Sequence, residues 1–182
     1  MFTICTLLAV LSIHQSQSAC ITKQAPFPKI IGGSRAATDI YQIDYHQDSD
    51  YLAVVGITYD QGLRGDTLGG VDWYPIIMAY QSTSYIWGKV FTSLFKNSFT
   101  GVAFNRLSTR LAVANFQVAR YLIILDIVNG NMISANTLSV SKSYYEGVWR
   151  NLLLLDDGTI FMGDDFSVIK VSPHSMQATV YT

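Results

Sequence analysis

The chain has 182 residues, of which 49% are hydrophobic and 14% charged. That balance excludes a disordered chain and supplies enough apolar side chains for a packed core. The net charge is −1 and the basic residues never run together, so there is no electrostatic case for nucleic acid or an anionic membrane surface.

The first predicted element is a signal peptide over residues 1–19. Residues 4–13 are an apolar run of the right length, followed by polar His14, Gln15, Ser16 and Gln17 and small Ser18 and Ala19. Cleavage is expected near Ala19, which would make the chain secreted. The run is shorter than the about 20 apolar residues that a membrane span needs. Residues 121–128, the best later stretch, are interrupted by Asp126, so no membrane span is expected. Removal of Cys5 with the signal leaves Cys20 alone. A lone cysteine in a secreted chain either bridges to another chain or is an incidental thiol. No Asn-x-Ser/Thr occurs, so N-glycosylation is not expected.

Residues 20–38 form a lead-in carrying Pro26, Pro28, Gly32 and Gly33. From 39 to 182 the pattern is that of strands. Residues 41–45 alternate, Asp48-Ser49-Asp50 turns, and 51–58 are apolar and β-branched. Residues 62–70 form a loop with four glycines, and 75–80 and 85–91 flank a polar turn. The clearest sheet lies at 99–104, 110–116, 120–127 and 132–140. Its runs are too short and too β-branched for helices, and Asn129-Gly130 is a strong hairpin signal. The last strands are expected at 145–150, 152–155, 159–163, 166–172 and 176–181. Within 111–125 both alternating sets are apolar, which predicts a sheet packed between two neighbours.

The chain also resembles itself. Shifting it by 59 residues places Ser49, Leu52, Ala53 and Val54 on Ser108, Leu111, Ala112 and Val113. Ile43 then meets Val102, and Tyr45 meets Phe104. A third copy is expected from Gly147-Val148, aligned with Gly101-Val102, with residues 159–164 over 111–116. Each copy holds about four strands, so the blades are expected at about 39–91, 99–140 and 145–182.

Leu52-Ala-Val-Val-Gly56, Trp87-Gly88-Lys89 and Asp157-Gly158-Thr159 carry a resemblance to β-propeller repeat proteins. The first two are similar to blades of degenerate extracellular propellers of ciliates, and the third to bacterial propeller repeats. The resemblance covers roughly residues 30–180. It implies an all-β fold, a partial β-propeller of about three four-stranded antiparallel blades, and no catalytic residue. The alternative is a β-sandwich. Closed propellers have about 4–8 blades. Three blades therefore imply a fragment, a truncated product or part of an oligomer, with self-association through exposed blade edges. The sheets around 51–58 and 166–181 are the expected sticky ends.

No residue pattern assigns a catalytic, cofactor or metal site. Lys29-Ile30-Ile31-Gly32-Gly33 looks like a trypsin-like activation junction, but neither the histidine motif nor the serine motif of that fold is present. Asp44, Asp48 and Asp50 surround His46 without a calcium-loop spacing, and such residues close hairpin turns by bonding their own backbone. Asp156-Asp157-Gly158 and Gly163-Asp164-Asp165 read the same way. The loop at 62–70 holds Arg64 and Asp66 but no phosphate-binding Gly-Lys-Ser/Thr. Trp73, Tyr74, Tyr80, Tyr85, Trp87, Tyr144, Tyr145 and Trp149 would form a sugar or peptide platform if exposed, and core filling between blades if buried. The functional expectation is a secreted, non-catalytic binding or interaction module without a cofactor. The alternatives are a fragment of a propeller-fold hydrolase or quinone-dependent oxidoreductase, or a non-functional remnant.

Overall fold

The computed structural model describes residues 36–64, 72–82, 84–94, 96–115, 119–139, 152–164, 167–173 and 177–181. The expected signal, Cys20, Lys29–Gly33, the strand at 145–150, and Tyr144, Tyr145 and Trp149 lie outside them.

Twelve strands form three four-stranded antiparallel sheets, each a simple meander in chain order. The first comprises β1 (Thr38–His46), β2 (Tyr51–Thr58), β3 (Tyr74–Gln81) and β4 (Ser84–Val90). The second comprises β5 (Gly101–Phe104), β6 (Arg110–Ala114), β7 (Ala119–Asp126) and β8 (Met132–Ser139). The third comprises β9 (Leu152–Leu154), β10 (Ile160–Asp164), β11 (Ser167–Val171) and β12 (Ala178–Tyr181). One helical turn, α1 (Gln61–Arg64), opens the loop expected at 62–70; the buried carboxylate of Asp60 caps it by accepting the Leu63 N–H.

The sheets pack face against face, with their first strands side by side: β1 touches β5, and β5 touches β9. This is a propeller-like arrangement, not the two facing sheets of a sandwich. Two cores fill the gaps. Ala53, Val55, Ile77 and Ala79 of the first sheet meet Leu111, Val113, Ile123 and Leu125 of the second. Ala112, Ala114, Leu122 and Ile124, on the second sheet's other face, meet Ile160, Met162, Ile169 and Val171 of the third. The middle sheet is thus buried on both faces, as its doubly apolar strands require. The contact faces are built on small residues where strands approach: Ala53 and Ala79, then Ala103, Ala112 and Ala114.

The strand pairings test the internal repeat. Tyr45 pairs with Leu52 and Ile43 with Val54; 59 residues on, Phe104 pairs with Leu111 and Val102 with Val113. The first two copies are therefore equivalent residue by residue. The third alignment needs correction. Leu154 pairs with Ile160, and Ile160 with Val171, so Ile160 rather than Thr159 occupies the place of Leu111. Leu152, rather than Val148, stands in the place of Val102. A slip of one residue exchanges the two faces of a strand, and the shorter β9–β10 connection hides that slip from a fixed-offset alignment.

Gly56 has a specific reason to be glycine. β1 bulges between Ile40 and Gln42, opposite it, and a Cβ at Gly56 would lie 1.9 Å from the Asp39 carbonyl oxygen. The glycine of the Leu52–Gly56 motif therefore permits the bulge that bends β1 along the inner edge.

The expected sticky first sheet also needs correction. β2 is buried on both faces, and Leu52, Val54, Ile76, Met78 and Tyr80 form a third core on the side away from the second sheet. The exposed face belongs to the third sheet.

Candidate functional site

Two surfaces stand out among the described residues. The first is the end of the molecule where the first hairpin of each sheet turns. There His46, Asn105 and Leu155 hold equivalent positions, each at the mouth of its turn.

Each turn is closed by its own side chains, and the first two are bonded to the next sheet. The Arg106 carbonyl can only accept, so His46 Nε2 donates to it at 2.7 Å; His46 Nδ1 is then left to accept the Ser49 hydroxyl at 3.0 Å. Asn105 closes the next turn: its Oδ1 accepts the Thr109 and Arg110 N–H groups, and its Nδ2 donates to Thr109 Oγ1. Asp156 of the third sheet then accepts from Asn105 Nδ2, the Leu107 N–H and Arg106 Nε.

The Ser49–His46–carbonyl sequence has the connectivity of a nucleophile, a base and an orienting group. The sequence alone did not reveal it, although His46 and Ser49 stand three residues apart across a turn. His46 holds the position of Asn105, and each side chain bonds within its own turn, His46 to Ser49 and Asn105 to Thr109. The acidic residues near it are likewise engaged. Asp50 accepts the Tyr45 hydroxyl at 2.6 Å and the Ser82 hydroxyl at 2.7 Å. The bond to Asp50 favours the neutral phenol and raises the Tyr45 pKa above its ordinary value. Asp157 accepts both the N–H and the hydroxyl of Thr159. Among the described residues no three His, Cys, Asp or Glu side chains converge as metal ligands.

Along the inner edge, Asn105 donates its N–H to Arg110, so in an antiparallel ladder Val102 and Phe104 point theirs away from β6. Side chains of β1 take them. Gln42 Oε1 accepts the Val102 N–H, and Asp44 Oδ2 accepts the Phe104 N–H. Asp44 Oδ1 also accepts the Tyr45 N–H, so one carboxylate bridges equivalent amides of consecutive sheets.

The aromatic residues divide. Tyr74, Tyr80 and Trp87 are buried; Trp73 packs beside Tyr59, and Tyr85 is exposed with its ring edge-on to Tyr80. Burial, with Tyr85 alongside, raises the Tyr80 pKa. Tyr74, Tyr80 and Trp87 therefore fill cores, and Tyr85 stays open to solvent.

The second surface is the outer face of the third sheet. Leu153 pairs with Phe161, Phe161 with Lys170, and Lys170 with Thr179, so these four share one row; Gly163, Val168 and Tyr181 form the next. Leu153 is 52% exposed, Val168 46% and Tyr181 52%. The positions equivalent to Leu153, Phe161 and Lys170 are Ala103, Ala112 and Ile124 in the second sheet. A face that is small and buried there is bulky, cationic and open here. An apolar groove of about 430 Å³ runs past Leu153, Phe161 and Val168 to Gln42 of β1. A polar groove of about 290 Å³ adjoins it, lined by Lys170, Ser172, Gln177 and Thr179 among others.

No protein-family model matches the chain, and no curated protein matches it. Among solved structures it is similar to the one described as "Structure of U3-55K", at 10% identity and a TM-score of 0.45. The match covers 84% of this chain and 54% of that one, so the chain spans about half the length of that protein.

Proposed function

We propose that the chain is a secreted, non-catalytic binding or interaction module on propeller-type blades, and that its working surface is the outer face of the third sheet. One observation carries this reading. The two faces that correspond to it are closed by a neighbouring sheet, whereas this one leaves Leu153, Val168 and Tyr181 about half exposed. Contiguous exposed apolar surface rimmed by polar groups marks interaction sites. The engagement of His46, Asp44, Asp50, Asp156 and Asp157 in turn closure and sheet-to-sheet bonds supports a scaffold role for the polar end. The likeness of Leu52–Gly56 and Trp87–Lys89 to extracellular propellers supports secretion, as does the apolar leader.

Light scattering and an apolar fluorescent dye test the surface. The chain lacking residues 1–19 is expected to self-associate with rising concentration or to bind the dye, and Leu153→Asp with Val168→Asp is expected to suppress both. A monodisperse parent chain without dye binding overturns the reading. Intact-mass analysis of the secreted product tests the compartment: a chain beginning near Cys20 is expected, and a cytosolic product retaining Met1 contradicts it.

A further inference from the structure

We propose that Asn129-Gly130 is a site of spontaneous covalent modification that the fold holds in check: when the β7–β8 turn opens, Asn129 loses ammonia through a succinimide and ends as aspartate or isoaspartate. The sequence has a single Asn-Gly pair, and it lies in this turn, between Asp126 and Met132. The chemistry needs two groups. The electrophile is the carbonyl carbon of the Asn129 side chain, Cγ. The nucleophile is the amide nitrogen of the next residue, which is least shielded where that residue is glycine. The electrophile is open and prepared. Asn129 is exposed, and the Asn131 N–H donates to its Oδ1 at 2.7 Å. That donor polarises the carbonyl and is placed to stabilise the oxyanion that attack at Cγ would create. The nucleophile is withheld. The Gly130 N–H donates to the Asp126 carbonyl at 2.8 Å, and Gly130 is buried against the Trp87 ring and the Lys89 stem. Asp126 Oδ1 holds the same turn by accepting the Val128 and Asn129 N–H groups.

An amide nitrogen attacks only after it gives up its proton. One that is bonded to a carbonyl and covered by an indole therefore reacts only in molecules whose turn is open. There the Gly130 nitrogen loses its proton and bonds to Asn129 Cγ, the Cγ–Nδ2 bond breaks, and Nδ2 leaves with the proton as ammonia. Water then opens the five-membered ring. Cleavage at Cγ gives aspartate; cleavage at the main-chain carbonyl gives isoaspartate, with the chain now running through Cγ. Neither product restores the turn. Aspartate sets a second carboxylate beside Asp126, whose Oδ1 accepts the N–H of the same residue. Isoaspartate adds a methylene to the main chain next to Gly130, where the Trp87 ring leaves no room even for a Cβ. The indole's bond to the Ile127 carbonyl depends on that turn, so each conversion leaves the junction of the first two sheets looser than before.

Peptide mapping by mass spectrometry follows the conversion during incubation at mildly alkaline pH, with the chain unfolded in urea as the reference for an open turn. The folded parent is expected to convert at Asn129 at least about tenfold more slowly than the unfolded chain. Trp87→Phe removes the indole bond and is expected to raise the folded rate about tenfold, the factor that about 1.4 kcal/mol of lost turn stability produces. Met162→Ala lowers stability in the core between the second and third sheets and is expected to leave the rate near the parent's, which separates local opening from global unfolding. Asn129→Gln is expected to abolish conversion at this position, and the isolated converted chain to melt below the parent. A folded parent that converts at the unfolded rate, a Trp87→Phe chain no faster than the parent, or equal acceleration by Met162→Ala overturns the proposal. A converted chain that melts like the parent overturns its consequence for the junction.

Discussion

Leu111→Asp is expected to abolish folding. Leu111 is fully buried in the middle sheet, its side chain in the core between the first and second sheets, and it pairs with Phe104 and Leu125. A carboxylate there has no cation within that core to meet it. An unpaired buried charge costs several kcal/mol after relaxation, against a total stability of about 5–15 kcal/mol for a domain. Ile123→Asp acts in the same core, so the two substitutions together leave no cooperative melt. Leu111→Met keeps the volume and is expected to cost less than about 1.5 kcal/mol, which separates charge from shape. Circular dichroism with thermal melting decides the matter: a soluble Leu111→Asp, Ile123→Asp variant that melts cooperatively removes the middle sheet from its central place.

Trp87→Ala is expected to cost about 3–5 kcal/mol, the range for deleting a buried indole, and more where the lost hydrogen bond adds. Trp87 sits on β4, packs in the first core, and donates its indole N–H to the Ile127 carbonyl at 2.6 Å, beyond the end of β7. That bond ties the outer strand of the first sheet to the β7–β8 turn of the second. The turn is shaped to receive the indole: Gly130 has φ of +69°, and a Cβ there would lie 2.7 Å from the ring. Trp87→Phe retains much of the packing and loses the bond, and is expected to cost about 1–3 kcal/mol, mainly from the orphaned carbonyl. Urea unfolding of the three proteins measures both terms. A Trp87→Ala loss below about 1 kcal/mol would show the two sheets joined without this contact.

Most of the scaffold was legible in the sequence because it follows from local rules. Alternation and turn residues placed the strands of the middle sheet within two residues of their ends. The offset of 59 matched β1–β2 to β5–β6 pair for pair, since the two first hairpins have the same length. In the third sheet β10 was misaligned by one residue because its first turn is shorter, and β9 by four; period-2 strands give no penalty within a single sequence for choosing the wrong face. The sites were less legible. The pairing of His46 with the Arg106 carbonyl, and of Asp44 with the Phe104 amide, joins residues 60 apart, and no local pattern specifies them. Burial of β2 on both faces was legible as composition but not as consequence, since Leu52 and Val54 read equally well as exposed ends.

The bonds along the inner edge make the molecule unequal in how it comes apart. Asp44 and Gln42 fasten the first sheet to the second, but their equivalents in the second sheet are Ala103 and Gly101, which have no group to offer β9. Among the described residues the junction with the third sheet is made by its apolar core and by Asp156 at one end. Subglobal opening follows the weaker seam. The third sheet, which carries the open face, is the unit that detaches first, while the first two sheets open as one block. In hydrogen exchange the amides of β10 and β11 would lose protection before those of β2 and β6, so that the part available to partners is also the part with the lowest local stability.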